Sequence, residues 1–309
     1  MADAVAFFDG RLMPLKEANI NIATHAFNYG TGVFEGIRAY WNEEQEELYI
    51  VQPGTHFRRM QRSARLLQID LPYSEERLVR ITQDLLRANG FQEDVYIRPL
   101  AYKADAVIKV GLSGISSGFA MFAVPMGDYV SMTGIHVAVS SWRRISDNMI
   151  PSRAKVVGAY VNAALSSDQA RLDGYDEAIM LADDGHVSEA SSSNLFMVRN
   201  ETLITPPVTA DILEGVTRQL VFELADDLKI ACEVRNIDRT ELYSADELFL
   251  CGTGVQLASI VTVDRRPVNH GHPGPITQAL QKQYLALVRG QLPAHRHQVT
   301  PVYRPRNDA

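Results

Sequence analysis

Apolar positions along this chain follow two different periods, and the switches between them outline the fold. Residues 5–8 and 11–15 flank Asp9-Gly10, a pair that tolerates positive φ, so the opening reads as a hairpin. Residues 34–41 and 48–51 predict a second strand pair. The period then lengthens: Phe57, Met60, Ala64 and Leu67 share one helical face. Leu78, Ile81 and Leu85 share another, with Gly90 as the stop. Residues 95–102, 119–125 and 135–141 return to strands, and a helix is expected over about 158–172. Residues 177–182, the turn Asp183-Asp184-Gly185 and residues 186–188 form the next strand and turn, followed by the pair 195–198 and 202–205. Val216, Leu220, Leu224 and Leu228 mark a strongly amphipathic helix, and residues 247–251 a buried strand ending in Gly252-Thr253-Gly254. Strand runs with interspersed helices, rather than regular alternation, predict an α+β fold.

The 309 residues suggest two domains. The polar, glycine-flanked stretch 127–134 is the candidate joint, giving a small α/β domain over 1–128, a linker over 129–135 and a large domain over 136–309. A content of 46% hydrophobic and 22% charged residues is that of a globular protein. The net charge of -7 argues against a nucleic-acid or anionic-membrane surface. No leader or bilayer-length apolar run is visible, which makes cytoplasmic residence the expectation. Cys232 and Cys251 make no disulfide framework and are expected as free thiols. His295 and His297 read as part of a polar segment rather than a metal pair, and no metal is expected. From Gln298 onward the chain is polar and expected to be loose.

Candidate chemistry begins at Lys155. Of six lysines, Lys229 and Lys282 fall in amphipathic helical patterns, Lys16 in a polar hairpin, and Lys103 and Lys109 in a loop-like stretch. Lys155 alone lies between a proline turn and an apolar run. A lysine on an apolar background can lose its proton and attack a carbonyl, whereas a lone surface lysine merely snorkels. Its company decides between these. The segment Leu213-Glu-Gly-Val-Thr-Arg218 runs into the amphipathic helix, where backbone N–H groups and a threonine hydroxyl form either a plain cap or an anion cradle. Arg59 lies off the apolar face of its helix, able to reach a phosphate with two donors. Gly252-Thr253-Gly254 offers further N–H donors at a strand end. Glu189 reads either as a turn carboxylate or as the partner that keeps a pyridine nitrogen protonated. Lysine, carboxylate, phosphate cradle and arginine together are the parts of a pyridoxal-phosphate site.

The same stretches carry a family resemblance. His25-Ala-Phe-Asn-Tyr-Gly30, Gly32-Val-Phe-Glu-Gly-Ile-Arg38, Tyr96-Ile-Arg-Pro-Leu100, residues 150–160, Ser188-Glu189, Asn194-Leu-Phe196, residues 213–218 and Cys251-Gly-Thr253 occur in order over nearly the whole chain. They resemble the fold type IV pyridoxal-phosphate aminotransferases, most closely the branched-chain amino-acid aminotransferases. The resemblance implies a two-domain fold of the D-amino-acid aminotransferase type and transfer of amino groups from leucine, isoleucine and valine to 2-oxoglutarate. It implies a homodimer or larger homo-oligomer with shared active sites, with amino and 2-oxo acids as partners and neither nucleic acid nor membrane. An (R)-amine or D-amino-acid transaminase, or a lyase, is the alternative, and a non-catalytic relative of the fold is a third.

By this resemblance Lys155 is the Schiff-base lysine and general acid–base, Tyr160 the partner of the cofactor's phenolic oxygen, and Glu189 the pyridine-nitrogen partner. Arg59, Val216, Thr217 and Thr253 match phosphate ligands, and Leu213 the residue under the ring. Tyr96 with the backbone of Thr253 and Gly254 matches the clamp on the substrate α-carboxylate. Tyr29, Arg98 and Tyr129 match the group that receives glutamate's distal carboxylate. Phe34, Gly36, Met126, Ile108 and Val110 match the lining of the side-chain pocket, some of it supplied by a neighbouring subunit, with Arg38 and Val255 at its margins. The chain departs from the family at Gly252-Thr-Gly-Val-Gln256, usually Gly-Thr-Ala-Ala-Glu. It departs also at Met126, often tryptophan, and at Ser188-Glu-Ala-Ser-Ser, often a glycine-rich run. These changes are expected to spare the cofactor site and to broaden the donor range.

Overall fold

The computed structural model describes residues 4–127 and 133–304. Seven strands come first: β1 (Val5–Phe8), β2 (Arg11–Pro14), β3 (Gly32–Phe34), β4 (Ile37–Asn42), β5 (Glu47–Val51), β6 (Val95–Lys103) and β7 (Ser117–Pro125). Nine follow: β8 (Ile135–Arg143), β9 (Glu177–Leu181), β10 (Val187–Ala190), β11 (Asn194–Arg199), β12 (Thr202–Thr205), β13 (Cys232–Val234), β14 (Glu247–Gly252), β15 (Gln256–Val263) and β16 (Arg266–Pro267). A last strand, β17 (Val299–Pro301), returns to the first set. The helices are α1 (His25–Tyr29), α2 (Pro53–Leu66), α3 (Glu75–Asn89), α4 (Tyr160–Leu172), α5 (Val216–Asp227) and α6 (Pro275–Val288).

The chain divides into two compact units, and each is made of more than one stretch. Of the described residues, the first unit takes 4–127, 154–158 and 286–304, and the second takes 133–153 and 159–285. The segments 154–158 and 286–304 thus belong with the N-terminal part of the chain, whereas the sequence suggested that everything after 135 belongs together. Residues 129–132 of the expected linker, with Tyr129, lie outside the described residues.

In the first unit one sheet runs β17-β5-β4-β6-β7-β1-β2, with β3 also paired to β6. The expected strand 34–41 is divided only in name: β3 stops at Phe34 opposite Leu100, and β4 resumes at Ile37 opposite Ile97 in the same register on β6. Between them, Glu35 faces Pro99, which accepts the Glu35 N–H at 3.0 Å but has no N–H to return, while the Glu35 side chain shares the buried face of Val33 and Ile37. α2 opens with Pro53 in its first turn, where a missing N–H costs nothing. α3 is capped by Ser74, whose hydroxyl accepts from the Arg77 N–H at 3.2 Å, and it stops at Gly90 with φ 67°. Phe57, Met60, Leu78 and Leu85 are fully buried, as the helical periodicity required.

In the second unit a mixed sheet runs β10-β9-β8-β15-β14-β11-β12-β13, with β16 on β15. β8 lies parallel to both β9 and β15. Ile135, Ile179, Leu195, Leu248 and Ile260 join one buried cluster. β13, β15, β16 and the return strand β17 were not foreseen from the apolar pattern. β15 is almost entirely buried and shows no alternation to read. No helix among the described residues is long and apolar enough to cross a membrane, and among them no cluster of His, Cys, Asp or Glu is arranged to hold a metal ion. Both cysteines are unpaired.

Two expectations are overturned. Residues 298–304 are not loose, and 305–309 lie outside the described residues: Val299, Thr300 and Pro301 pair with Val51, Ile50 and Tyr49. The buried carboxylate of Glu47 accepts the N–H groups of Val302, Tyr303 and Arg304 at 2.9, 2.8 and 2.8 Å. Polar composition concealed this because the tail is held through its backbone, which composition does not report. Glu47→Ala is expected to cost about 1–3 kcal/mol, because the Val302 N–H keeps the Leu48 carbonyl at 3.0 Å but the half-buried Tyr303 N–H loses its acceptor, read as a lower melting temperature with faster proteolysis near the C-terminus. An unchanged melt would show that the clamp is idle. Lys103 is likewise not in a loop. It ends β6, is buried, and donates from Nζ to the carbonyls of Gln68 and Ile115. Isolation on an apolar background therefore does not single out Lys155. Lys103 is the more buried of the two, but two carbonyls hold its ammonium in place.

Candidate active site

In the first unit, the alternation of β6 places Tyr96 and Arg98 on the same face, opposite Val95, Ile97 and Ala101 in the core. Arg98 Nη2 donates to the Tyr96 hydroxyl at 2.8 Å, and the Arg98 guanidinium sits 4.4 Å from the centre of the Phe34 ring. Lys155 Nζ is 5.2 Å from the same ring centre. Segment 154–158 is docked through its backbone. The Phe34 N–H donates to the Lys155 carbonyl at 3.1 Å, and the Lys155 N–H to Ser63 Oγ at 3.3 Å. Two glycines allow the approach: a Cβ on Gly30, which has φ +66°, would stand 2.8 Å from Gly158 Cα. A Cβ on Gly36 would stand 2.4 Å from the Tyr96 hydroxyl oxygen, so glycine there keeps Tyr96 in place. Phe34, Gly36, Tyr96, Arg98 and Lys155 are therefore gathered at one place.

Arg59 is buried rather than free on a helix surface. Its Nε and Nη2 donate to the two oxygens of Glu35 at 2.8 and 2.7 Å, and His56 Nδ1 meets the same carboxylate at 2.8 Å. Burial pushes the Glu35 pKa up, but the Arg59 charge and the hydrogen bonds from Arg59 and His56 outweigh it and hold the group at about 2. Burial lowers the pKa of His56 against the pull of Glu35, and the charges of Arg59 and Lys155 lower it further. A neutral His56 has one proton to give, and its place is on Nδ1, facing the carboxylate.

The remaining residues expected in this unit divide. Tyr29 packs on His25 at 4.8 Å between ring centres. His25 Nε2 lies 2.6 Å from the Lys109 carbonyl, which only accepts, so His25 donates there and accepts from Thr31 through Nδ1. This fixes the stretch bearing Ile108 and Val110, which are 72% and 80% exposed and line nothing within their own chain. Arg38 is fully buried, and its Nη2 donates to the carbonyls of Met126 and Gly127 at 2.6 and 3.0 Å, bracing the end of β7. Its Nε and Nη1 are buried without a hydrogen-bond partner. Met126 enters that contact through its backbone.

In the second unit, Glu189 is the centre. It accepts from Arg144 Nη2 and Asn194 Nδ2, both at 2.8 Å, and from the Leu213 N–H at 3.2 Å. Asn194 also donates to the Leu213 carbonyl at 2.9 Å, tying the carboxylate to the segment that leads into α5. A Cβ on Gly215 would fall 1.9 Å from Asn194 Oδ1, so only glycine lets this segment pass. α5 then starts at Val216 and Thr217 with no side-chain cap and no acid in its first turn, although either would suit a helix N-terminus. Thr253 and Gly254 lie in the turn between β14 and β15, with Val255 buried beneath. Gly254 has no left-handed φ and a Cβ there would meet nothing within 4 Å; the left-handed residue of the turn is Gln256 at φ 56°. Tyr160 opens α4. Burial raises the pKa of the Cys251 thiol, so Cys251 is inert.

Residues 32–263 match the family described as Amino-transferase class IV. The chain belongs to the class IV amino-transferases. It is 47% identical over 300 residues to a probable branched-chain-amino-acid aminotransferase of Aquifex aeolicus, covering 96% of each chain. The crystal structure of the branched-chain aminotransferase of Thermoproteus uzoniensis with norvaline superposes with a TM-score of 0.94 at 42% identity, covering 97% of this chain and 99% of that one. A T.th. branched-chain amino acid aminotransferase complexed with N-(5'-phosphopyridoxyl)-L-glutamate gives a TM-score of 0.92 at 34% identity, with coverage of 97% and 99%.

In this class IV amino-transferase four supporting residues escaped the sequence reading. Glu35 and His56 hold Arg59, and Arg144 and Asn194 hold Glu189. Glu35 left a trace, a lone carboxylate inside the apolar run from Val33 to Ile37. His56 stands three residues before Arg59, on the same helical face. Arg144, by contrast, is one arginine among many and carries no local signal.

Proposed function

We propose that this chain transfers the amino group of L-leucine, L-isoleucine and L-valine to 2-oxoglutarate, giving branched 2-oxo acids and L-glutamate, with pyridoxal phosphate as cofactor. The observation that carries the reading is the setting of Phe34, whose ring has Lys155 Nζ at 5.2 Å and the Arg98 guanidinium at 4.4 Å. An apolar wall accepts a branched side chain. An arginine tethered to a tyrosine hydroxyl beside that wall accepts a second carboxylate without placing bare charge against the first substrate. Arg98 Nε is buried with no hydrogen-bond partner, which suits a site that receives an anion. The relatives bound to norvaline and to a pyridoxyl-glutamate support the same pair of requirements and do not favour the D-amino-acid or lyase alternative.

The residues fit the cofactor. The uncapped start of α5 and the buried, unpartnered Ser193 Oγ leave donors for an anionic ligand. Arg59, Val216, Thr217 and Thr253 would hold the phosphate, Leu213 would support the ring, and Tyr160 would bond its phenolic oxygen. Bound pyridoxal phosphate supplies an electron sink for the pair left on the substrate Cα. Lys155 Nζ carries the proton from that carbon. Glu189, paired with Arg144, would hold the ring nitrogen in its charged form. Tyr96, with the backbone at Thr253 and Gly254, clamps the α-carboxylate.

The test is a half-reaction screen, in which each amino acid alone is added and the cofactor's absorbance is followed. Leucine, isoleucine, valine and glutamate should each convert it; no response to any branched-chain donor would end the reading. We further propose a cytoplasmic homodimer with shared sites. Exposed Ile108 and Val110, fixed through His25 yet idle in their own chain, support it. Sedimentation of active enzyme should give a dimer or larger, and an active monomer would overturn the proposal.

A further inference from the structure

We propose that Glu35, braced by His56, is the positioning residue for Arg59 and sets the orientation in which that arginine meets the cofactor phosphate. The proposal rests on the functional reading above and adds to it two residues that touch neither cofactor nor substrate.

A carboxylate with 0% exposure needs strong compensation to stay charged. Glu35 has it. Arg59 approaches side-on, Nε to one oxygen and Nη2 to the other, and His56 Nδ1 takes a third lone pair. The backbone is fixed as well, since the Glu35 N–H donates to the Pro99 carbonyl at 3.0 Å. A side-on pair of this kind sets both the plane and the roll of a guanidinium, which a single hydrogen bond does not. His56 donates one proton without adding charge, because it is neutral where it sits. It lies one turn before Arg59 on α2, so one helical face presents both donors to one carboxylate. β3 and β4 keep one register on β6 across Glu35, so the strand that seats its backbone also aims its carboxylate inward beside Val33 and Ile37.

Two effects of removing the charge oppose each other. Without Glu35 as an anion, the raw attraction of Arg59 for phosphate rises. Glutamine, however, has one oxygen: placed where Oε2 stands it keeps Arg59 Nη2 and His56 Nδ1, but its amide N–H₂ then confronts Arg59 Nε, so the side-on fork is broken and must rotate away. Charge-assisted bonds to phosphate weaken steeply with angle, and misorientation outweighs the gain.

The experiment compares pyridoxal phosphate with pyridoxal, which lacks the phosphate. Binding is titrated by absorbance in wild type, Glu35→Gln, Arg59→Lys and the double variant. Glu35→Gln should weaken pyridoxal phosphate by about ten- to hundredfold, the scale of a charge-assisted contact, and leave pyridoxal nearly unchanged. Arg59→Lys cannot form the side-on pair, so adding Glu35→Gln to it should change nothing further. Should Glu35→Gln not fold, His56→Gln keeps the ion pair and should lose affinity in the same sense but less, again only for the phosphorylated ligand. Equal losses for both ligands would mean a general structural role and overturn the proposal. So would unchanged or tighter phosphate binding, or additive effects in the double variant. If wild type takes up neither ligand, the functional reading itself has failed; if wild type binds and the variants match it, only the positioning role has.

Discussion

Lys155→Ala should abolish transamination while the protein folds and still takes up pyridoxal phosphate without a covalent link. The fold survives because segment 154–158 is docked by its backbone, through the Phe34 N–H and Ser63 Oγ. Loss of a positioned general acid–base alone costs about 10²–10⁴ in rate, and loss of the covalent attachment adds to it. Borohydride reduction of the wild type followed by peptide mapping provides the complementary check. The label should fall on Lys155. Lys103, although more buried, should stay clean because two carbonyls hold its ammonium. A label on any other lysine removes Lys155 from its role.

Glu189→Gln should retain cofactor and slow turnover by about 10- to 150-fold, from the loss of roughly 1.5–3 kcal/mol in a charge-assisted contact to the ring nitrogen. The surroundings sharpen this expectation. Arg144 and Asn194 both point donors at Glu189, and an amide offers them one oxygen in place of two. Asn194 should keep its bond, since it is also tied to the Leu213 carbonyl, and Arg144 should lose its partner. Turnover measured with saturating cofactor separates the chemical loss from weakened binding. Near-normal turnover would show that the ring nitrogen is held by another group.

What the sequence made legible follows from how locally each feature is encoded. α3 could be read from Leu78, Ile81, Leu85 and Gly90 because face and stop lie within one short window. Lys155, Glu189 and the Leu213–Arg218 segment were visible because their motifs are contiguous. Long-range partners were not. Nothing near residue 35 announces an arginine at 59, and nothing near 189 announces one at 144. The contact made by Arg38 was hidden for the same reason: its motif is local, but the Met126 and Gly127 carbonyls that accept from it are almost ninety residues away. The break between β3 and β4 escaped because the apolar pattern continues through Glu35 and Gly36, and the missing donor is that of Pro99 on a strand far along the chain.

The non-contiguous make-up of the first unit bears on how the protein is made. Its sheet includes β17, and Glu47 waits for the N–H groups of residues 302–304. During synthesis the first 127 residues emerge early, but they lack the 154–158 segment until about half the chain is made and their edge strand until nearly the whole chain has left the ribosome. The uninterrupted run 159–285 is available sooner, so the later-encoded unit has the means to settle before the earlier one, against the usual N-to-C order. A chain stalled before residue 299 would carry β5 as a bare sheet edge, the kind of surface that recruits other strands.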